Sequence, residues 1–180
     1  NSRHFLIGEL ERSLTRLGTE YVDIWQIHSW DADVALEDTL SALDFAYTSG
    51  KARYVGISNF NGWQSARAIS LQEANTAKAP IATIQSEYSL LNRSIENEIL
   101  DCATELGVGI LAWSPLGRGV LTGKYRNSIP ADSRGATPHF ANFISTYLNR
   151  DSARVVEAVA AAATGLGYSP LEVSLAWVRD

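Results

Sequence analysis

The sequence predicts an α/β fold built on a parallel sheet, and three observations carry that reading. Four short apolar runs stand out, Tyr21–His28, Arg53–Ser58, Ile81–Tyr88 and Val108–Pro115. They are rich in Val, Ile, Trp and Tyr and too short for most helices. Their starts recur roughly every 30 residues, the length of one βαβ unit. Helical patterns fill the intervals, and alternation of strand with helix implies parallel pairing. A doubly wound open sheet and a closed barrel both fit that order, although no run is followed by a Gly-x-Gly-x-x-Gly turn.

The elements follow from the chain in order. Leu6, Leu10, Leu14 and Leu17 form one stripe of a first helix, and Gly18 supplies its stop. Leu36, Leu40 and Leu43 mark a second helix, with Asp31 and Asp33 as capping candidates and Gly50 at its end. Asn61 caps a third that holds Ala66 and Ile69. Ser94 caps a fourth with Ile99, Ala103 and Leu106, closed by Gly107. A further helix spans Asp151–Leu166. Ser169–Pro170–Leu171–Glu172 is a capping box with a helix-start proline. Residues 124–150 show no clear period and contain Pro130, Gly135 and Pro138. A loop of that length is expected to be a functional lid or a disordered segment, here at the ligand end of the sheet, with His139 and Phe140 as lid candidates beside the plain surface reading of His139.

Composition narrows the function. The chain has 180 residues, 46% hydrophobic and 19% charged, and a formal net charge of -5. That is enough apolar content for a sizeable core in one domain. An acidic chain without a Lys/Arg run has no general attraction to nucleic acid or to an anionic membrane. No apolar stretch is long enough to span a bilayer. Cys102 stands alone, which excludes an internal disulfide and suits a reducing, cytoplasmic setting. Its plainest role is that of a small buried apolar residue.

In parallel α/β folds ligands bind at the C-terminal strand ends. The first run ends in His28, the second in Ser58–Asn59, the third carries Gln85, and the fourth ends in Trp113–Ser114. Taken singly, each has an ordinary structural role as a satisfied histidine, a capping turn, a packed amide or a core indole. Their shared position at successive strand ends is what favours a site. Ser58, Asn59 and Gln85 donate and accept hydrogen bonds but are poor acids and bases, which suits an amide ligand. Trp113 offers a flat face for stacking. The glycines after Ser114 allow close backbone approach to a phosphate, with Arg118 adding charge.

Other chemistries find little support. The stretch Gly117–Lys124 lacks Walker spacing, because five residues separate Gly117 from Gly123 and Tyr125 follows the lysine. His4, His28 and His139 are scattered rather than paired for a metal. No Gly-x-Ser-x-Gly elbow occurs.

Four motifs in register resemble the aldo-keto reductases. They are Leu14–Thr15–Arg16–Leu17–Gly18–Thr19–Glu20–Tyr21–Val22–Asp23–Ile24–Trp25–Gln26–Ile27–His28, Lys51–Ala52–Arg53–Tyr54–Val55–Gly56–Ile57–Ser58–Asn59–Phe60, the segment from Gln85 to Arg93, and the segment from Ala112 to Lys124. The resemblance covers nearly the whole chain and implies a (β/α)₈ TIM barrel, with about four of its strands here. It implies reduction of an aldehyde or ketone by hydride from NADPH, with NADH as the other option. His28 would orient and polarise the substrate carbonyl. Ser58, Asn59 and Gln85 would hold the nicotinamide carboxamide, and Trp113 would stack on the ring. Ser114, Leu116 and Gly119 fall in the segment that runs along the pyrophosphate.

The family's general-acid tyrosine, with its aspartate and lysine, finds no match in the chain. The 180-residue chain is therefore expected to lack reductase activity by itself. The loop that reads the adenosine 2′-phosphate also has no counterpart, so NADPH rests on family habit. Two other readings stand beside the reductase. One is a non-catalytic, regulatory nicotinamide-binding barrel like the channel-associated β subunits of the superfamily. The other is a barrel aldolase or isomerase, which would need a reactive lysine or acidic base at a strand end. The expected partner is a small carbonyl compound. The identity of that compound and the oligomeric state are left open.

Overall fold

The computed structural model describes residues 1–180. Its elements are α1 (Arg3–Leu17), β1 (Val22–Ile27), α2 (Leu36–Thr48), β2 (Ala52–Ser58), α3 (Gly62–Glu73), β3 (Ile81–Glu87), α4 (Ile99–Glu105), β4 (Gly109–Trp113), α5 (Pro138–Ser145), α6 (Arg150–Leu166) and α7 (Pro170–Arg179). Short 3₁₀ turns lie at Ser94–Asn97, Gly117–Thr122 and Arg134–Ala136.

The four strands form one sheet in the order β1-β2-β3-β4. The β1–β2 and β2–β3 pairs are parallel. A doubly wound sheet reverses its strand order at a switch point. Here each strand lies beside its predecessor, as in a barrel. Register sorts the side chains onto two faces. Ile27, Val55, Ile57 and Ile84 point to one face and are buried, packed with Leu6, Leu10 and Leu14 of α1, Leu40 and Leu43 of α2, and Ile69 of α3. On the other face Ile24 is 44% and Tyr54 57% exposed. Helices therefore cover one face only, which is the arrangement of barrel strands with an outer helical ring.

The chain divides into two compact units. Asn1–Ser86 with Glu96–Leu111 forms the first, and Glu87–Ile95 with Ala112–Asp180 forms the second. The second unit has its own core of Val120, Leu121, Ile144, Tyr147, Val156 and Val159.

Most helix ends follow the sequence. Gly18 closes α1 in the left-handed conformation at φ 66°, which costs glycine nothing. Asn61 with Gln64, and Ser169 with Glu172, form reciprocal capping boxes on α3 and α7. Three expectations need correction. Asp31 and Asp33 do not cap α2, which starts after Ala35 without a side-chain cap. Asp31 instead accepts from the Asp33 amide at 3.0 Å. Ser94 opens a 3₁₀ turn, and α4 begins only at Ile99. Residues 124–150, read as a loop, contain α5. The missed signal is Phe140, Phe143, Ile144 and Tyr147, at helical spacing behind a Pro at the first helical position. No helix of the chain is long and apolar enough to cross a membrane.

Candidate functional site

In the first unit the C-terminal strand ends are tied to one another. Asn59 follows β2 directly and has φ 55°, a left-handed value that non-glycine residues seldom adopt, Asn most readily. Its backbone N–H donates to the Gln85 carbonyl on β3 at 2.9 Å. Its side-chain Nδ2 donates to the His28 carbonyl after β1 at 2.8 Å. One residue thus joins three consecutive strand ends and brings His28, Asn59 and Gln85 together. Ser58, at the end of β2, is in register with Gln85 and only 2% exposed. His28 and Asn59 are exposed, and Gln85 is half-buried.

Aromatic rings support these ends. Trp30 packs edge-on against Phe60 with centroids 5.3 Å apart, and against Trp63 at 5.4 Å. Phe60 is buried directly after Asn59, which anchors the strained turn in the core.

The Gln85 side chain belongs to a chain of polar contacts that sequence reading missed. Thr83 Oγ1 donates to Gln26 Oε1 at 2.9 Å, and Gln26 Nε2 donates to Gln85 Oε1 at 3.1 Å. The available signal was Gly56, a glycine inside a strand, which marks a close approach.

In the second unit Trp113 ends β4, and its carbonyl accepts from the Tyr88 N–H at 3.3 Å. Beyond it the backbone turns through Ser114 at φ 50°, Gly117 at 54°, Arg118 at 58° and Gly119 at 91°. The Gly117 N–H closes onto the Ser114 carbonyl at 2.8 Å, and the Gly119 and Leu121 N–H groups onto that of Leu116. Ser114, Leu116 and Gly119 therefore belong to one tight, repeatedly left-handed turn.

Arg118 faces protein groups in this turn. Its Nε and Nη2 donate to the two oxygens of Glu87 at 3.0 and 2.9 Å. Its Nη1 donates to the Phe143 carbonyl in the last turn of α5 at 2.8 Å and to Thr146 Oγ1 at 3.3 Å. The guanidinium also lies 4.0 Å from the Phe143 ring centroid. Tyr147 completes the cluster by donating its hydroxyl to Glu87 Oε1 at 3.0 Å. Burial, then the Glu87 carboxylate, push the Tyr147 phenol above its ordinary value, so it stays a donor. Neither Glu87 nor Tyr147 was singled out from the sequence as a partner of Arg118. His139 and Phe140, the candidate lid residues, are exposed on α5 with their rings edge to face at 4.7 Å.

Comparison with known proteins accords with this geometry. The Aldo/keto reductase family pattern matches residues 1–180. An L-glyceraldehyde 3-phosphate reductase of Escherichia coli (strain K12) is 38% identical over 98% of this chain and 51% of its own length. A probable voltage-gated potassium channel subunit beta of Oryza sativa subsp. japonica is 36% identical over 98% of this chain and 54% of its own. Aldo-keto reductase YhdN of Bacillus subtilis (strain 168) is 30% identical over 99% of this chain and 52% of its own. The chain spans about half the length of the curated relatives it matches. With the parallel strands in sequential order, helices on one face and polar side chains at the strand ends, the match over every residue places this chain in the aldo/keto reductase family.

Proposed function

We propose that this chain is part of an NADPH-dependent carbonyl reductase acting on a small aldehyde or ketone. The observation that carries this reading is the junction at Asn59, which holds His28, Asn59 and Gln85 at three adjacent strand ends. When bound, the nicotinamide supplies the hydride. The donor set fits its carboxamide. Gln85 Nε2 makes no hydrogen bond within the chain, Ser58 stands in register beside it, and both are proposed with Asn59 to hold the carboxamide. His28 is the group proposed to orient and polarise the substrate carbonyl. Trp113 is proposed to stack on the nicotinamide ring, and Ser114, Leu116 and Gly119 to run along the pyrophosphate. Arg118, neutralised by Glu87, holds that turn in shape and adds little free charge to it. NADPH rather than NADH follows family habit.

The E. coli relative is named an L-glyceraldehyde 3-phosphate reductase, so short polar aldehydes are the first substrates to try. Segment 124–150, with α5 inside it, is proposed as a lid over the active-site face. A cytoplasmic location accords with the lone cysteine.

The test is fluorescence titration of the full-length protein with NADPH. Quenching that weakens in Trp113→Ala supports the assignment, and absence of binding by the folded protein overturns it. A second reading draws on the rice relative, named as a channel subunit. In it the same residues bind nicotinamide for regulation. Turnover with simple aldehydes excludes that reading, and tight NADPH binding without turnover favours it.

A further inference from the structure

Resting on the assignment of Gln85 to the carboxamide, we propose that Gln26 is a positioning residue that sets the direction of the Gln85 amide. Gln26 lies on β1 in register with Gly56 of β2, and Gly56 is in register with Thr83 of β3. Neighbouring strands are about 4.8 Å apart, so a β1 side chain normally meets β2 and no further. Here the Gln26 amide crosses β2 altogether and bonds to Thr83 and Gln85 on β3. Gly56 makes the crossing possible. A Cβ there would stand 2.2 Å from Thr83 Oγ1 and 3.0 Å from Gln26 Oε1.

The contacts have a direction. The Thr83 hydroxyl donates to the Gln26 carbonyl, which leaves the Gln26 amino group facing Gln85 as a donor. Gln85 answers with its carbonyl oxygen. Its own amino group is then turned away from the protein donors, with no hydrogen bond inside the chain. A primary amide held this way presents N–H rather than C=O. It is matched to the carbonyl oxygen of a carboxamide, and it needs no reordering when that ligand arrives. Gln26 sits two residues before His28, yet it acts only through Gln85.

The experiment is titration of the full-length protein with NADPH and with its 3-acetylpyridine analogue, which keeps the carbonyl but replaces the amino group by methyl. Gln26→Leu frees the Gln85 amide and is expected to weaken NADPH binding about tenfold, the loss of roughly one hydrogen bond. Thr83→Val is expected to weaken it similarly, and Thr83→Ser to restore it. Gln26→Glu is the sharper probe. Its carboxylate only accepts, so Gln85 must donate to it and turn its carbonyl toward the ligand. The variant is then expected to disfavour the acetylpyridine analogue relative to NADPH by about tenfold more than the wild type does. A merely structural Gln26 would shift both ligands equally, and an unchanged ratio overturns the proposal. Gln85→Ala separates the two levels. If Gln85→Ala binds NADPH as the wild type does, the carboxamide assignment itself fails. If it binds weakly while the Gln26 and Thr83 variants are unaffected, only the positioning role fails.

Discussion

Arg118 grips both carboxylate oxygens of Glu87, at 3.0 and 2.9 Å, while its own backbone is held left-handed at φ 58°. A non-glycine residue in that conformation is strained by roughly 1–2 kcal/mol. The side chain offsets the strain. Its guanidinium satisfies Glu87, terminates α5 at the Phe143 carbonyl and covers the Phe143 ring. The pair is 13% and 11% exposed, well removed from the screening that weakens surface ion pairs.

Removing one partner should therefore hurt more than removing a surface charge. Glu87→Ala leaves the guanidinium uncompensated and is expected to lower stability by about 3 kcal/mol. Arg118→Lys keeps the charge but loses the two-pronged grip, so it should also be destabilising. Urea denaturation of both variants checks this. Wild-type midpoints would show that the pair is energetically idle.

Tyr147 gives the cluster a pH signature. Its folded-state value is raised above the ordinary value of 10.0, first by burial and then by Glu87. The folded protein therefore favours the protonated phenol. That contribution is complete below pH 10 and is lost as pH rises through the raised folded value. The stability difference between wild type and Tyr147→Phe should be flat from neutral pH to about pH 10 and should shrink beyond it. At neutral pH the variant should lose about 1.5 kcal/mol, as for a hydrogen bond to a charged acceptor.

Asn59 separates backbone strain from side-chain bonding. Asn59→Ala loses the bond to the His28 carbonyl, about 1 kcal/mol, and keeps a β-carbon at φ 55° without the side-chain amide that lets Asn adopt this conformation readily. Asn59→Gly loses the bond but relieves the strain, so its stability should fall between Ala and the wild type. Denaturation midpoints give the order. Equal loss in both variants would remove the strain argument.

Gly56→Ala should cost about 1–3 kcal/mol, the usual penalty of overpacking, because the new Cβ would meet Thr83 Oγ1 at 2.2 Å and the Thr83 carbonyl at 2.9 Å. Adding Thr83→Ala relieves the first contact but not the second. The double variant is expected to recover part of the loss, measured by thermal unfolding. Full stability of Gly56→Ala alone would mean that β2 and β3 shift easily at this register.

Most of the elements and the α/β class were legible in local sequence patterns. Alternation of apolar runs with helical stripes is local information, and β1 to β4 and α1, α3, α6 and α7 fall close to where those patterns predict them. Local bonding also made the Asn61 and Ser169 caps legible, since cap and partner are three residues apart. Position at a strand end singled out His28, Ser58, Asn59, Gln85 and Trp113 as candidates. Other features needed the folded chain. Choosing a sequential sheet over a doubly wound one required strand order, which periodicity does not encode. The Asp31 cap failed because a carboxylate near a helix start has competing partners, here the backbone amide of Asp33 in the preceding loop. Arg118 read as charge added beside a phosphate, and only folding brought it together with Glu87, 31 residues away, and Tyr147, which lies 60 residues from Glu87. In the sequence Gln26 is simply a polar residue inside the apolar run Tyr21–His28. Its role emerges only when register sets it opposite a glycine, because a hydrogen-bond chain across three strands is a property of pairing and not of local sequence.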